Sequence, residues 1–190
     1  MFELFSKTLF LTLGSAFFLE PLPEVHHAKN FNEAIKNKYI QVRALKGAEN
    51  KSTASTLLIS CVDFRLREET ERLMSENLKL LNDYDEIALP GAALALTQHT
   101  YPDWNQTLEE VIGILKGLHH IKRIIFLDHR QCGAFKLLKG EASIATRDEE
   151  TRTHKEVFKE ARKIIQKEFP DLEVYTLLIG LDAMAENFKE

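Results

Sequence analysis

The stretch RIIFLDHRQCG (residues 123–133) joins a short apolar run to a turn that carries a histidine and a cysteine. Its first seven residues have the composition of a strand covered on both faces, as in a parallel sheet. A second apolar run, TLLISCV (residues 56–62), is also followed at once by polar residues, in SCVDFR (residues 60–65). The sequence therefore predicts two buried strands, each with chemically active side chains at its carboxyl end.

Predicted strands and helices alternate outward from these two runs. The apolar runs predict strands over 56–62, 85–91, 123–129 and 173–181. Helical spacing of apolar residues predicts helices over 67–81, 105–121 and 149–169. Because strands that alternate with helices form parallel sheets with right-handed crossovers, we predict a single α/β domain.

The N-terminal fifty residues are predicted to form a hydrophobic, helical arm (1–50) ahead of an α/β domain over 51–190. An apolar run within 1–20 resembles the core of a signal peptide, but it is too short for a comfortable membrane span. The presence of Glu3 and the lack of a small-residue cleavage site favour a helix packed on the domain or on a partner subunit. We predict a cytoplasmic protein without a stable membrane span, with export to the periplasm as the alternative.

The overall composition narrows the class of protein. A chain of 190 residues can form one α/β domain with a substantial core. The net charge of −4 leaves no basic excess to bind a phosphate backbone, so nucleic acid is not expected as a partner. The sequence contains 2 cysteines, which excludes a disulfide-rich scaffold but leaves open a single Cys61–Cys132 disulfide in an oxidising compartment.

Three potential metal ligands follow the two central strands: Cys61, His129 and Cys132. If these strands are neighbours, the three side chains meet at the crevice where ligands bind in such sheets. Two thiolates and an imidazole favour tetrahedral zinc, and three protein ligands leave a fourth position for water, as in catalytic sites. That water would ionise near neutral pH and act as a nucleophile. A helix beginning after Cys132 would favour its thiolate form.

Asp63 and Arg65 form a predicted ion pair beside Cys61. In an extended chain these three alternate side chains point the same way, and Arg65 would keep Asp63 oriented and ionised. Asp63 would then accept a hydrogen bond from the zinc-bound water, or leave Arg65 and fill the fourth position, which would close the site. In the second motif, Arg130 and Gln131 are predicted to face solvent.

Together the two motifs resemble the signature of the β-class carbonic anhydrases, Cys-x-Asp-x-Arg followed by His-x-x-Cys-Gly. In this sequence the motifs are CVDFR (residues 61–65) and HRQCG (residues 129–133), and the resemblance extends over about 57–182. It implies a β-carbonic-anhydrase-like fold with a mainly parallel sheet of four or five strands flanked by helices. It also implies a homodimer or a higher homo-oligomer.

The same resemblance implies the chemistry of the site. The metal would be Zn²⁺ bound by Cys61, His129 and Cys132, with Asp63 and Arg65 as the catalytic dyad. The reaction would be the reversible hydration of carbon dioxide to bicarbonate by a zinc-bound hydroxide, and the protein would be a carbonate dehydratase-like zinc lyase.

The sequence also departs from the family pattern. The family usually has Arg-Asn-Ala-Gly at the end of the second strand, where this chain has LPGAALAL (residues 89–96). Phe64 and Ala134 stand where a small residue and a second glycine are common. Two alternative functions therefore stay open: a zinc hydrolase of the same fold acting on carbonyl sulfide or carbon disulfide, and a non-catalytic zinc protein that senses bicarbonate or acts as a scaffold.

Overall fold

The structure, a computed structural model, describes Lys36 and residues 51–189. The predicted arm over 1–50, with its signal-like segment at 1–20, lies outside the described residues except for Lys36. The prediction of a cytoplasmic location depends on that segment and stays a prediction. Among the described helices, none has both the length and the apolar content needed to cross a bilayer.

The described residues form one sheet of five strands in the order β2-β1-β3-β4-β5. The strands are β1 (Thr56–Ser60), β2 (Tyr84–Ala88), β3 (Arg123–His129), β4 (Glu173–Ile179) and β5 (Ala185–Asn187).

The first four strands are parallel, and β5 pairs antiparallel with β4 at the edge. The sheet therefore confirms the predicted mainly parallel α/β domain. It also makes β1 and β3 neighbours, with Ser60 opposite Leu127. Because both strands run the same way, the two motifs leave the sheet at the same edge.

The helices flank this sheet. They are α1 (Arg67–Arg72), α2 (Ala93–Thr97), α3 (Pro102–Leu118), α4 (Gly133–Lys139) and α5 (Arg147–Glu168).

The predicted helices over 67–81, 105–121 and 149–169 differ from α1, α3 and α5 mainly at their ends. After α1 a π-helical turn over Leu73–Asn77 ends the helical segment before residue 81. The backbone then turns with positive φ angles at Lys79 and Asn82. Helix α3 begins earlier than predicted because Pro102 fits the first turn of a helix.

The core has two parts, one on each face of the sheet. Ile124 and Phe126 of β3 join the larger cluster, which includes residues of α2, α3 and α5. Ile125 and Leu127, the alternate residues of the same strand, join the smaller cluster with Met74 from the turn after α1. Burial on both faces explains the continuous apolar run from Ile124 to Leu127 within β3.

Candidate metal centre

Cys61, His129 and Cys132 come together at the carboxyl edge of the sheet. Cys61 follows β1, His129 ends β3, and Cys132 precedes the first residue of α4. One ligand atom from each side chain lies within 4.8 Å of the other two. His129 and Cys132 are buried, and Cys61 is partly exposed. The convergence expected from neighbouring strands is therefore present in the fold.

The spacing of the two sulfur atoms fits a shared tetrahedral ion. Both cysteines are free thiols, and their Sγ atoms lie 3.9 Å apart. Two sulfurs each about 2.3 Å from one zinc ion, at the tetrahedral angle, would be about 3.8 Å apart. A disulfide would need them about 2.0 Å apart. The donor set and its spacing could therefore hold a zinc ion.

His129 presents one ring nitrogen to the cluster. Its Nδ1–H donates to the carbonyl oxygen of Arg130 over 2.8 Å. Its Nε2 is buried and has no hydrogen-bond partner among the described residues. A backbone carbonyl on one nitrogen fixes the tautomer that leaves a lone pair on the other, the usual arrangement of a metal-binding histidine.

The chain after β2 contributes a hydrogen bond to Cys61. The Gly91 N–H donates to Cys61 Sγ over 3.3 Å. Gly91 has a φ of +85°, and a Cβ there would lie 3.0 Å from the Cβ of Leu94, which explains the glycine. A hydrogen bond from the Cys132 thiol, aided by His129 and Gly91, lowers the pKa of Cys61 well below its usual range. The turn thus favours the thiolate that a metal requires.

Asp63 is paired with Arg65 beside the cluster. Arg65 donates from Nε to Asp63 Oδ1 over 2.9 Å and from Nη2 to Oδ2 over 2.7 Å. The guanidinium holds the pKa of this carboxyl at about 2, well below its usual range. Asp63 Oδ2 also lies 3.6 Å from His129 Nε2. The structure therefore places an ionised carboxylate within reach of the predicted ligands.

The local conformation of this dyad differs from the extended chain that the alternation suggested. The residues Phe64–Leu66 form a 3-10 turn, and the Asp63 side chain accepts from the Arg65 backbone N–H over 3.0 Å. A short acidic side chain that caps its own following turn is common after strands. Arg65 thus reaches Asp63 across a turn rather than along a strand face.

Arg130 is also placed differently from its prediction, because its side chain is buried rather than facing solvent. Its backbone N–H still pairs with Ile179 of β4 over 2.9 Å, so its side chain points to the opposite face from that of His129. There it contacts Glu150 at 3.3 Å and Glu186 at 3.1 Å. Gln131 is exposed as predicted, and its backbone N–H donates to Glu150.

Two supporting residues on α5 were not predicted from the sequence. Glu150 and His154 are both buried, and both contact the chain around His129. They occupy the same helix face as the buried Val157, Ala161 and Ile165. Polar residues in an apolar stripe were therefore the sequence pattern that could have identified them.

Two solved structures resemble this arrangement of strands and helices. The carbonic anhydrase of Streptococcus mutans aligns with a TM-score of 0.52 at 16% identity, over 78% of this chain and 88% of that one. A tetrameric β-carbonic anhydrase of Sordaria macrospora aligns with a TM-score of 0.53 at 15% identity, over 75% and 84%. At such identities the likeness shows the fold, which is that of the β-carbonic anhydrases.

The sequence comparisons identify the family. Residues 51–188 match the family described as "Putative carbonic anhydrase". The chain belongs to this family and is a divergent relative of the β-class carbonic anhydrases.

Two relatives come from Rickettsia. A protein of Rickettsia bellii is 54% identical over 137 residues, which span 72% of this chain and 83% of the relative. A protein of Rickettsia conorii is 48% identical over 162 residues, which span 84% and 86%. Both are described as uncharacterized, so neither adds an activity.

Proposed function

We propose that this protein is a zinc enzyme that catalyses the reversible hydration of carbon dioxide to bicarbonate. The observation that supports the proposal is the cluster of Cys61, His129 and Cys132, with sulfur atoms 3.9 Å apart, beside an ionised carboxylate. A cluster of this chemistry with three protein donors matches a catalytic zinc site better than a structural one, which uses four.

The three donors would hold the ion at the edge of the sheet. When bound, zinc would supply Lewis acidity and make a nucleophile available from water near neutral pH. His129 is held in the metal-binding tautomer by the Arg130 carbonyl, and Cys61 is held by the Gly91 N–H. These contacts fix the donors before the ion binds, which lowers the cost of assembling the site.

Asp63 would orient the attacking water. Its carboxylate is an acceptor at neutral pH, and the two hydrogen bonds from Arg65 keep it from rotating freely. Water gives its oxygen to the carbon of carbon dioxide and one proton to solvent, so the products are bicarbonate and a proton. Arg65 acts through Asp63, because it keeps that carboxylate ionised and engages both of its oxygens.

We also propose that the protein is a homo-oligomer. Phe64, next to the dyad, is 84% exposed, and Leu137 on α4 is 74% exposed in the isolated chain. The Sordaria macrospora enzymes with this fold are described as tetrameric. Covering such apolar side chains by another copy would remove them from water.

The experiment is a stopped-flow assay of carbon dioxide hydration at about pH 8.5, on protein whose zinc content is measured in the same sample. The Cys132→Ser variant, with the same fold checked by circular dichroism, is the control. We expect catalysis that depends on zinc and that the variant lacks. A zinc-loaded protein with no rate above buffer would contradict the proposal and favour a sensing or scaffold role.

A second candidate is a zinc hydrolase of carbonyl sulfide or carbon disulfide. The observation that favours it is the apolar character of the turn after β2, where Leu89, like Cys61, packs against the larger core cluster. An apolar surface beside the substrate would suit carbonyl sulfide or carbon disulfide, which are less polar than bicarbonate. Sulfide release from either compound, together with no hydration of carbon dioxide, would decide for this candidate.

A further inference from the structure

We propose that His154 is a positioning residue for the metal centre, which it supports through Asp128 and the turn of residues 91–93. The inference rests on the proposed zinc site, and it assigns a role to a buried histidine outside the three predicted ligands. His154 lies on α5 and contacts Asp128, the residue before His129 in β3.

The His154–Asp128 pair is fully buried. Both side chains are 0% exposed, and His154 Nδ1 lies 2.8 Å from Asp128 Oδ2. The rest of the imidazole packs on Phe135, with ring centroids 3.9 Å apart. Its Nε2 has no partner in the part of the chain that the structure describes, so the contact with Asp128 is its one hydrogen bond there.

The other oxygen of Asp128 holds the turn after β2. The Ala93 N–H donates to Asp128 Oδ1 over 3.0 Å. Ala92, just before it, has a φ of 48° and a ψ of −104°, a conformation that is costly for a residue with a Cβ. Strained backbone of this kind persists where surrounding contacts hold it. Asp128 supplies one of those contacts.

The same turn contacts Cys61. Gly91, two residues before Ala93, donates its N–H to Cys61 Sγ. Asp128 is in addition the residue directly before His129 in β3. One buried carboxylate therefore connects α5 to the strand that presents His129 and to the turn that hydrogen-bonds Cys61. His154 determines the direction of that carboxylate.

Loss of the His154 donor should therefore loosen the metal site. Asp128 would keep the Ala93 N–H but lose the partner of its second oxygen in a dry environment. The turn and β3 would then adjust to find it another partner, which would shift Gly91 and His129. Removing outer contacts of metal ligands typically costs about 10–100-fold in metal affinity.

Two substitutions separate this role from simple packing. In His154→Asn the side-chain amide keeps an N–H near the position of Nδ1 but loses ring volume. In His154→Leu the volume is nearly kept, but the donor is lost. If His154 positions the site, zinc affinity should be kept in His154→Asn and reduced in His154→Leu. If His154 only fills space, affinity should be kept in His154→Leu and reduced in His154→Asn. Val157→Ala, a cavity variant one turn further along the same helix face, controls for general destabilisation.

The experiment measures zinc affinity by competition with a chromophoric chelator, together with the sulfur-to-cobalt charge-transfer bands of the Co²⁺-loaded protein. We expect His154→Leu to lose about tenfold or more in affinity and to shift the cobalt bands. His154→Asn should stay within about threefold of the wild type, and Val157→Ala should keep both the affinity and the spectrum.

Wild-type affinity and spectrum in His154→Leu would overturn the proposal. Losses in His154→Asn or Val157→Ala as large as the loss in His154→Leu would also overturn it. If His154→Leu does not fold, Asp128→Asn provides the test. Its amide has one acceptor oxygen, whereas the carboxylate has two, so it cannot accept from both His154 and the Ala93 N–H as Asp128 does. Unchanged zinc affinity in Asp128→Asn would also overturn the proposal. Zinc affinity and the cobalt spectrum are measured without catalysis, so their outcome is independent of whether the protein hydrates carbon dioxide.

Discussion

Arg65 and Arg67 each bind a carboxylate through two hydrogen bonds, yet the two pairs face different surroundings. Arg65 holds Asp63, which lies 3.6 Å from His129 Nε2. Arg67 holds Glu86 at 2.9 and 3.1 Å, and the other partner of Glu86 is the hydroxyl of Ser60. The two pairs are thus chemically alike, but the carboxylate held by Arg65 lies beside a predicted metal ligand, whereas the one held by Arg67 accepts a hydrogen bond from the Ser60 hydroxyl.

This similarity gives a matched test of the dyad. We expect Arg65→Ala to lower kcat for hydration by about a hundredfold or more while zinc content holds, because Asp63 is freed to approach the metal. Arg67→Ala, which breaks an equivalent ion pair, should keep most of the activity. Stopped-flow rates and metal analysis on the same samples check this. Equal activity in the two variants would end the argument for the dyad.

The three predicted ligands are open to a direct test of their own. Cys61→Ser, His129→Ala and Cys132→Ser each remove one of three donors, and losing a donor costs more affinity than losing an outer contact. Each variant should therefore retain far less than one zinc per chain after dialysis, as measured by elemental analysis. A folded variant that keeps stoichiometric zinc would show that its residue is not a ligand.

At the scale of elements, the turn between β2 and α2 supports both folding and the site. Gly91 needs its positive φ, and an added Cβ would also lie 3.3 Å from Ala134. Gly117 in α3 is different, because its backbone is helical and a Cβ there would meet nothing within 4 Å. The same substitution should therefore have opposite effects at these two glycines.

We expect Gly91→Ala to lower the free energy of unfolding by about 1–3 kcal/mol and to weaken zinc binding, because the strained turn also carries the donor to Cys61. Gly117→Ala should raise the free energy of unfolding by up to about 1 kcal/mol, because alanine loses less conformational entropy in a helix. Urea denaturation measures both. A Gly91→Ala protein as stable as Gly117→Ala would contradict the role of the turn.

The sequence predicted the parts of the fold whose patterns are local. Buried parallel strands such as β3 appear as continuous apolar runs, and α5 has a clear helical period. The short α2 and the exposed β5 were not predicted, because five helical residues and three exposed strand residues leave no periodic pattern. Helix α2 is placed by contacts with the distant helix α5, and β5 by antiparallel pairing with β4.

The candidate site was likewise predictable where it depends on local sequence motifs. Cys61, His129 and Cys132 follow strands in recognisable motifs, so the parallel topology was enough to bring them together. The burial of Arg130 was missed because it depends on Glu150 and Glu186, which lie 20 and 56 residues further along the chain. Such partners are defined by tertiary packing rather than by local sequence.

On the scale of the whole molecule, the proposed metal joins distant parts of one domain. Cys61 and Cys132 are separated by 71 positions and lie on different strand ends, so an ion bound to both would favour the folded chain. At free zinc about a hundredfold above Kd, the gain in stability is about 2.7 kcal/mol.

We therefore expect the melting temperature to rise with added zinc and to fall on chelation, as followed by calorimetry. Cys132→Ser should show little response. A melting temperature that zinc does not change in the wild type would contradict metal binding by the folded domain.

The strongest test of the proposed function is the rate of carbon dioxide hydration from about pH 6.5 to 9, with zinc content measured in every sample. Bound zinc would make a nucleophile available from water near neutral pH, so activity should rise with pH as that nucleophile forms. We expect activity to rise between about pH 7 and 8.5, with a slope that approaches first order in hydroxide on the acidic side of the midpoint. A protein with one zinc per chain and no hydration at any of these pH values, or a flat profile, would contradict the proposed function.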